Sequence, residues 1–254
     1  MKKSAADIRE DLKAHVDFLA EAGAGFVLRR PKEQAGTGRP APSGPAAAPR
    51  AGADLAPAAV RPPQTEADCQ ALEEIDARVR ACTLCVLHKF RTNAVPGEGK
   101  RDAELMFIGE GPGRDEDMQG RPFVGRAGQL LRKIIAAMSF REDEVYIANM
   151  VKCRPPDNRV PHHEEIEACV PYLIRQIELI RPRVIVTLGK TPTDYFVPGR
   201  EGMTVRRGRF GDYRGIPVMP TFHPSYLVRN EGNRELKRMV WEDMQKVMAL
   251  LGRK

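Results

Sequence analysis

The chain contains no run of about 18 apolar residues, which excludes a membrane-spanning helix. Its opening residues, Met1-Lys2-Lys3-Ser4-Ala5-Ala6-Asp7, are charged and lack the apolar stretch of a secretory signal, so a cytoplasmic setting is favoured. There are only five cysteines in 254 residues, and in a reducing compartment they are not expected to pair as disulfides. No internal repeat is found. The glycine-rich segment Gly109-Glu110-Gly111-Pro112-Gly113 is not a dinucleotide fingerprint, because Arg114 stands where the last glycine is required. Nor is it a Walker loop, since no Gly-Lys-Ser/Thr follows it.

What is present begins with charge. The formal net charge is +7 and the pI near 9.3, a balance that helps approach to a polyanion such as nucleic acid without proving it. Hydrophobic residues make up 42% and charged residues 30%, enough for a sizeable core.

Three regions follow from the pattern. Residues 1–30 form the first, in which Ile8, Leu12, Val16 and Leu19 recur at helical spacing behind a possible Ser4 cap. This predicts an amphipathic helix that docks on its own domain or recruits a partner. Residues 31–64 are dominated by Pro, Ala and Gly, with Leu55 and Val60 the only sizeable apolar residues. They cannot bury enough surface to offset chain ordering, so a flexible tether is expected. Residues 65–254 are expected to be globular.

Within the third region, helices are predicted over 65–81, 128–139, 164–180 and 234–251. Strands are predicted at 105–108, 145–148, 184–188 and 216–219. Strands alternating with helices imply an α/β fold with a parallel sheet covered on both faces. Ligands of such folds sit beyond the carboxyl ends of the strands. That rule selects Gly109–Gly113, the segment from Asn149, Gly189-Lys190, and Thr221-Phe222-His223-Pro224-Ser225.

Two constellations carry chemistry. Cys82 and Cys85 form a C-x-x-C pair, with Cys153 and Cys169 further along. Four thiolates from separate segments suit Zn²⁺ or an iron–sulfur cluster, and ligation by cysteine alone does not choose between them. The plainer alternative is that one or two are ordinary buried cysteines; Cys69 has no partner at comparable spacing and reads as a spare helix residue. The glycine-rich turn is the second. Its backbone N–H groups can approach a ligand closely because no side chains intervene. His223, at a strand's carboxyl end, joins it as a candidate.

The runs GEGPGRDEDMQGRPFVGRAGQLL (109–131), YIANMVKCRPPDNRVP (146–161) and HPSYL (223–227), with the four cysteines, closely resemble the family 4 uracil-DNA glycosylases, the iron–sulfur type. The resemblance covers about residues 70–250. It implies a three-layer α/β/α sandwich with a four-stranded parallel sheet. It further implies a monomeric, monofunctional hydrolase that flips uracil out of single- or double-stranded DNA, releasing the free base and leaving an abasic site. Cys82, Cys85, Cys153 and Cys169 would bind one structural [4Fe-4S] cluster. Phe123 would stack on the uracil and Asn149 would read its edge. Gly111 would offer a backbone contact where larger relatives carry an aspartate, and His223 would face the uracil carbonyl. Glu110 and Asn158 would brace each other, Glu116 would manage water, and Leu227 with Tyr226 would wedge into the DNA.

Two departures, at Gly111 and at Gly113, qualify this expectation. Gly113 stands where the aspartate-bearing relatives place a thymine-blocking tyrosine, so exclusion of thymine falls to Glu110 or the loop backbone. The short stretch from Cys153 to Cys169 lacks the basic insertion of a cross-linking relative, so ordinary turnover is expected. Arg121, Arg126, Arg154, Arg159, Lys190, Arg206, Arg207, Arg209 and Arg229 are expected to track phosphates near the site. A repair or replication partner is expected for residues 1–64.

Overall fold

The computed structural model describes Pro62 and residues 64–253. The expected N-terminal helix lies outside these residues, as does nearly all of the expected tether.

The first helix, α1 (Glu66–Ala81), starts where the sequence predicts. The Thr65 hydroxyl accepts the Asp68 N–H at 3.2 Å while the Asp68 carboxylate accepts the Thr65 N–H at 2.9 Å, a reciprocal cap. Leu72, Ile75 and Val79 form its buried stripe.

The remaining elements alternate around one sheet: β1 (Glu98–Gly99), β2 (Leu105–Gly109), α2 (Arg114–Gln119), α3 (Arg126–Ala137), β3 (Tyr146–Asn149), α4 (His163–Ile180), β4 (Val184–Leu188), α5 (Lys190–Phe196), α6 (Met203–Arg206), β5 (Gly211–Tyr213), β6 (Ile216–Thr221), α7 (Pro224–Arg229) and α8 (Arg234–Leu251). The strand order is β1-β3-β2-β4-β6-β5. The four predicted strands form the parallel centre, and β1 and β5 add antiparallel edges. The sheet therefore has six strands, not four. The added strands are two and three residues long, contain glycine and show no apolar alternation, so the sequence carries no periodic signal for them.

Side chains along each central strand divide between two cores. Leu105, Phe107, Val184, Val186 and Met219 pack with Leu131 and Ile135 of α3 and with Val240, Met244 and Val247 of α8. Met106, Ile108, Ile185 and Val218 pack on the other face with α1 and with Leu173 and Ile177 of α4. This period-two split makes the three layers. Each fully buried aliphatic or aromatic side chain contributes roughly 1.5–3 kcal/mol over leaving it in water.

Candidate active site

Beyond the carboxyl ends of the parallel strands lies a cavity of about 500 Å³. It is lined by all three sequence motifs and by the turn after β4. Its floor is set by pairing that continues past the strand ends. The Met150 N–H donates to the Gly109 carbonyl at 2.9 Å and the Val151 N–H to the Glu110 carbonyl at 3.1 Å, which holds the glycine-rich turn beside Asn149.

Asn149 ends β3 and is buried, and its Oδ1 has no hydrogen-bond partner. A buried, unpaired acceptor is costly, on the order of 1–3 kcal/mol, unless a ligand satisfies it. Gly109 makes this arrangement possible. A Cβ there would stand 2.4 Å from Asn149 Oδ1 and 2.8 Å from Phe123 Cζ. Phe123 is held at φ 53°, with its carbonyl against Gly128, where any side chain would collide with it. Its ring lies 5.8 Å from the His223 ring, tilted by 31°.

His223 caps α7. Its Nδ1 accepts the Ser225 N–H at 3.1 Å and lies 2.8 Å from the Ser225 hydroxyl. Accepting a backbone N–H at Nδ1 places the remaining ring proton on Nε2, so the neutral ring is a donor there. Burial, with a smaller contribution from Arg229, pushes the His223 pKa down from 6.5 to about 4. Asn149, Phe123, His223 and Gly111 thus surround one cavity, as their motifs imply. A Cβ at Gly111 would approach Val151 Cγ2 to 2.8 Å, so a carboxylate-bearing residue there would have to displace a buried valine. No hydrogen bond among the described residues uses the Gly111 N–H.

Several expected roles are corrected. Glu116 does not offer a free carboxylate. Its Oε2 accepts the Gly113 N–H at 3.1 Å, and its Oε1 accepts the N–H groups of Val124 and Gly125, each at 2.9 Å. It clamps the glycine-rich turn to the Phe123 loop. It also explains Gly113, whose Cβ would lie 2.7 Å from Glu116 Oε2. Glu110 and Asn158 both line the cavity but do not brace each other. Glu110 accepts from the Thr191 hydroxyl at 2.5 Å, and Asn158 accepts from Arg154 at 2.7 Å. Asn158 sits on an exposed turn at φ 55°, which points it to its own loop.

Leu227 is buried among the residues of α3 and α8, at 1% exposure, and cannot serve as a wedge without leaving the core. Its neighbour Tyr226 is 41% exposed and packs against Phe222. Arg206 and Arg207 are also structural. Arg206 is buried on Asp194 and the Val197 carbonyl, and Arg207 grips the fully buried Asp243. Arg126, Arg209 and Arg229 remain exposed, as does Lys190 beside Asp194. Thr191 and Ser225 were missed as positioning residues. Only their place beside strand ends could have signalled them.

Cys82, Cys85, Cys153 and Cys169 line a second, smaller cavity between α1 and α4. Arg91 donates to Cys153 Sγ at 2.9 Å and the Lys152 N–H to Cys169 Sγ at 3.2 Å. Burial raises the thiol pKa values of Cys85 and Cys153 and pushes that of Cys169 up to about 12. Among the described residues, no three His, Cys, Asp or Glu side chains stand close enough to hold one metal ion. Four cysteines facing one cavity, with a guanidinium donor behind Cys153 and a backbone N–H behind Cys169, fit a multi-iron cluster, in which each thiolate binds a different iron.

Residues 96–245 match the model of the uracil DNA glycosylase superfamily. The chain belongs to that superfamily. It is 50% identical over 182 residues to a type-4 uracil-DNA glycosylase of Thermotoga maritima, a match covering 71% of this chain and 94% of the relative. A type-4 enzyme of Sulfurisphaera tokodaii is 45% identical over 188 residues, covering 70% of this chain and 84% of the relative. Within the superfamily the chain therefore belongs with the type-4 uracil-DNA glycosylases. A type-5 enzyme of Pyrobaculum aerophilum is more distant, at 32% identity over 54% of this chain and 68% of the relative.

Proposed function

We propose that the protein draws uracil out of single- or double-stranded DNA into the 500 Å³ cavity and hydrolyses its N-glycosidic bond, releasing uracil and leaving an abasic site. The observation that carries this reading is the buried, unpaired Oδ1 of Asn149. Uracil offers a matching pattern: the N3–H donates to Oδ1 while O4 accepts from the same amide's NH₂. Cytosine presents the opposite pattern at those two atoms and would leave both groups unpaired.

Phe123 stacks on the base and helps offset the unstacking cost of a few kcal/mol. As the C1′–N1 bond breaks, its electron pair moves into the uracil ring and negative charge grows on O2. The neutral Nε2–H of His223 and the Gly111 N–H are the donors that receive it. Water then adds to C1′ of the cationic sugar and gives a proton to solvent, while the departing uracil anion takes one up and leaves as neutral uracil. With a dissociative step and Glu116 committed to the loop, no strong base is required.

Cys82, Cys85, Cys153 and Cys169 hold one [4Fe-4S] cluster, which when bound supplies a staple between the Cys82–Arg91 segment and α4. Tyr226 is the wedge on α7. Glu110, held by Thr191 at the cavity wall, is the group that excludes thymine. The protein works as a cytoplasmic monomer, and residues 1–64 recruit a repair or replication partner.

The test is release of free uracil from uracil-bearing oligonucleotides without strand cleavage. Asn149→Ala and His223→Ala should each lower the single-turnover rate by about 10²–10³, the loss typical of one such donor. Undiminished release by both variants would remove the proposed site.

A further inference from the structure

We propose that Val160 is a second apolar wedge, entering duplex DNA from the rim of the cavity opposite Tyr226 and holding open the base step from which uracil is drawn. This rests on the reading that uracil in DNA is the substrate.

With Leu227 sealed in the core, Tyr226 is the one exposed apolar side chain of α7 at the site. A single ring on one side leaves the vacated step supported from that side alone. Val160 lines the cavity and is 62% exposed, so its aliphatic side chain stands uncovered at the rim. It has no hydrogen-bonding group, so neither a phosphate nor a base edge would hold it. The faces of unstacked bases would.

The loop that carries Val160 is ordered in advance. Asp157 and Asn158 take left-handed conformations that these residue types tolerate better than most. Pro155, Pro156 and the buried Pro161 restrict the rest. Arg159, next to Val160, is fixed by two hydrogen bonds to Glu165, at 2.8 and 2.6 Å. Glu165 in turn accepts the His162 N–H at 2.8 Å at the start of α4. A side chain presented on a stiffened loop needs little further ordering on binding.

Topology sets the two wedges apart. The Val160 loop follows β3 and α7 follows β6, with β2 and β4 between them in the sheet. Three strand spacings amount to about 14 Å. The cavity that would receive the base opens in that interval, lined by both segments.

Val160→Ser and Val160→Leu in the full chain would be compared with the unaltered protein. Single-turnover uracil release would be measured from one sequence as single strand, as a U:G duplex and as a U:A duplex. Val160→Ser should slow release from the U:A duplex by about tenfold or more, because the unstacking cost falls on duplex alone. The U:G duplex should be affected less, the single strand by no more than about twofold, and Val160→Leu should keep the duplex rate of the unaltered protein. Equal losses on all three substrates, or no loss on either duplex, would overturn the proposal. Absence of release by the unaltered protein, even from single strand, would instead remove the underlying reading, and the wedge with it.

Discussion

At the residue scale, the site depends on a side chain whose state is set by what lies behind it. Ser225 turns His223 into an Nε2 donor, and burial keeps its pKa near 4. The ring is neutral at pH 7, so in the proposed reaction it would give O2 a hydrogen bond and not a full proton. The rate of uracil release should stay level from pH 7 to about 5 and fall as pH approaches 4; a fall centred near 6.5 would show the ring titrating as if exposed. Stability should follow the same sign. The unfolded chain takes up its proton first, so the contribution of neutral His223 is complete above 6.5 and is lost as pH drops from 6.5 towards 4. The stability gap between the unaltered protein and His223→Gln should narrow across that window in acid denaturation. Asn149 and His223 were legible because each lies at a strand's end, whereas Phe123, in the loop between α2 and α3, was named only through the family resemblance. The burial of Leu227 was not legible. Tyr226 and Leu227 are adjacent apolar residues on a six-residue helix, and only the docking of α7 against α3 decides which one faces solvent.

At the scale of elements, the cavity exists because glycines let backbone segments approach closely. Gly109→Ala would drive a methyl group into Asn149 Oδ1 and Phe123. The strand should survive, with unchanged far-ultraviolet circular dichroism, while the rate of uracil release falls by about 10²-fold, as a displacement near 1 Å at a reacting group can cost. The parallel strands and long helices were legible from apolar runs and from spacing, since burial on two faces leaves a strong pattern. The edge strands and the short helices α2, α5, α6 and α7 were not, because elements of two to seven residues carry too few positions for a period. Glu116 shows the same limit. Its sequence position in an acidic run suggests chemistry, whereas its two oxygens are spent on three backbone N–H groups of separate loops.

At the scale of the molecule, the cysteine cavity and the 500 Å³ cavity share one connecting segment. β3 ends in Asn149, and Cys153 follows four residues later, before the loop that carries Val160. A bound cluster would anchor that segment from behind. Purified protein should carry about four irons per chain, as a cluster on four thiolates requires. Cys153→Ser should lose iron and lower the melting temperature together; retention of both would argue that Cys153 is only a buried thiol.

The most direct test of the central claim is a crystal structure of the protein with product DNA and free uracil. The account places the uracil N3 within hydrogen-bonding distance of Asn149 Oδ1, its O2 at His223 Nε2 and its ring against Phe123. Uracil bound elsewhere, or bound here with Asn149 Oδ1 still unpaired, would contradict it.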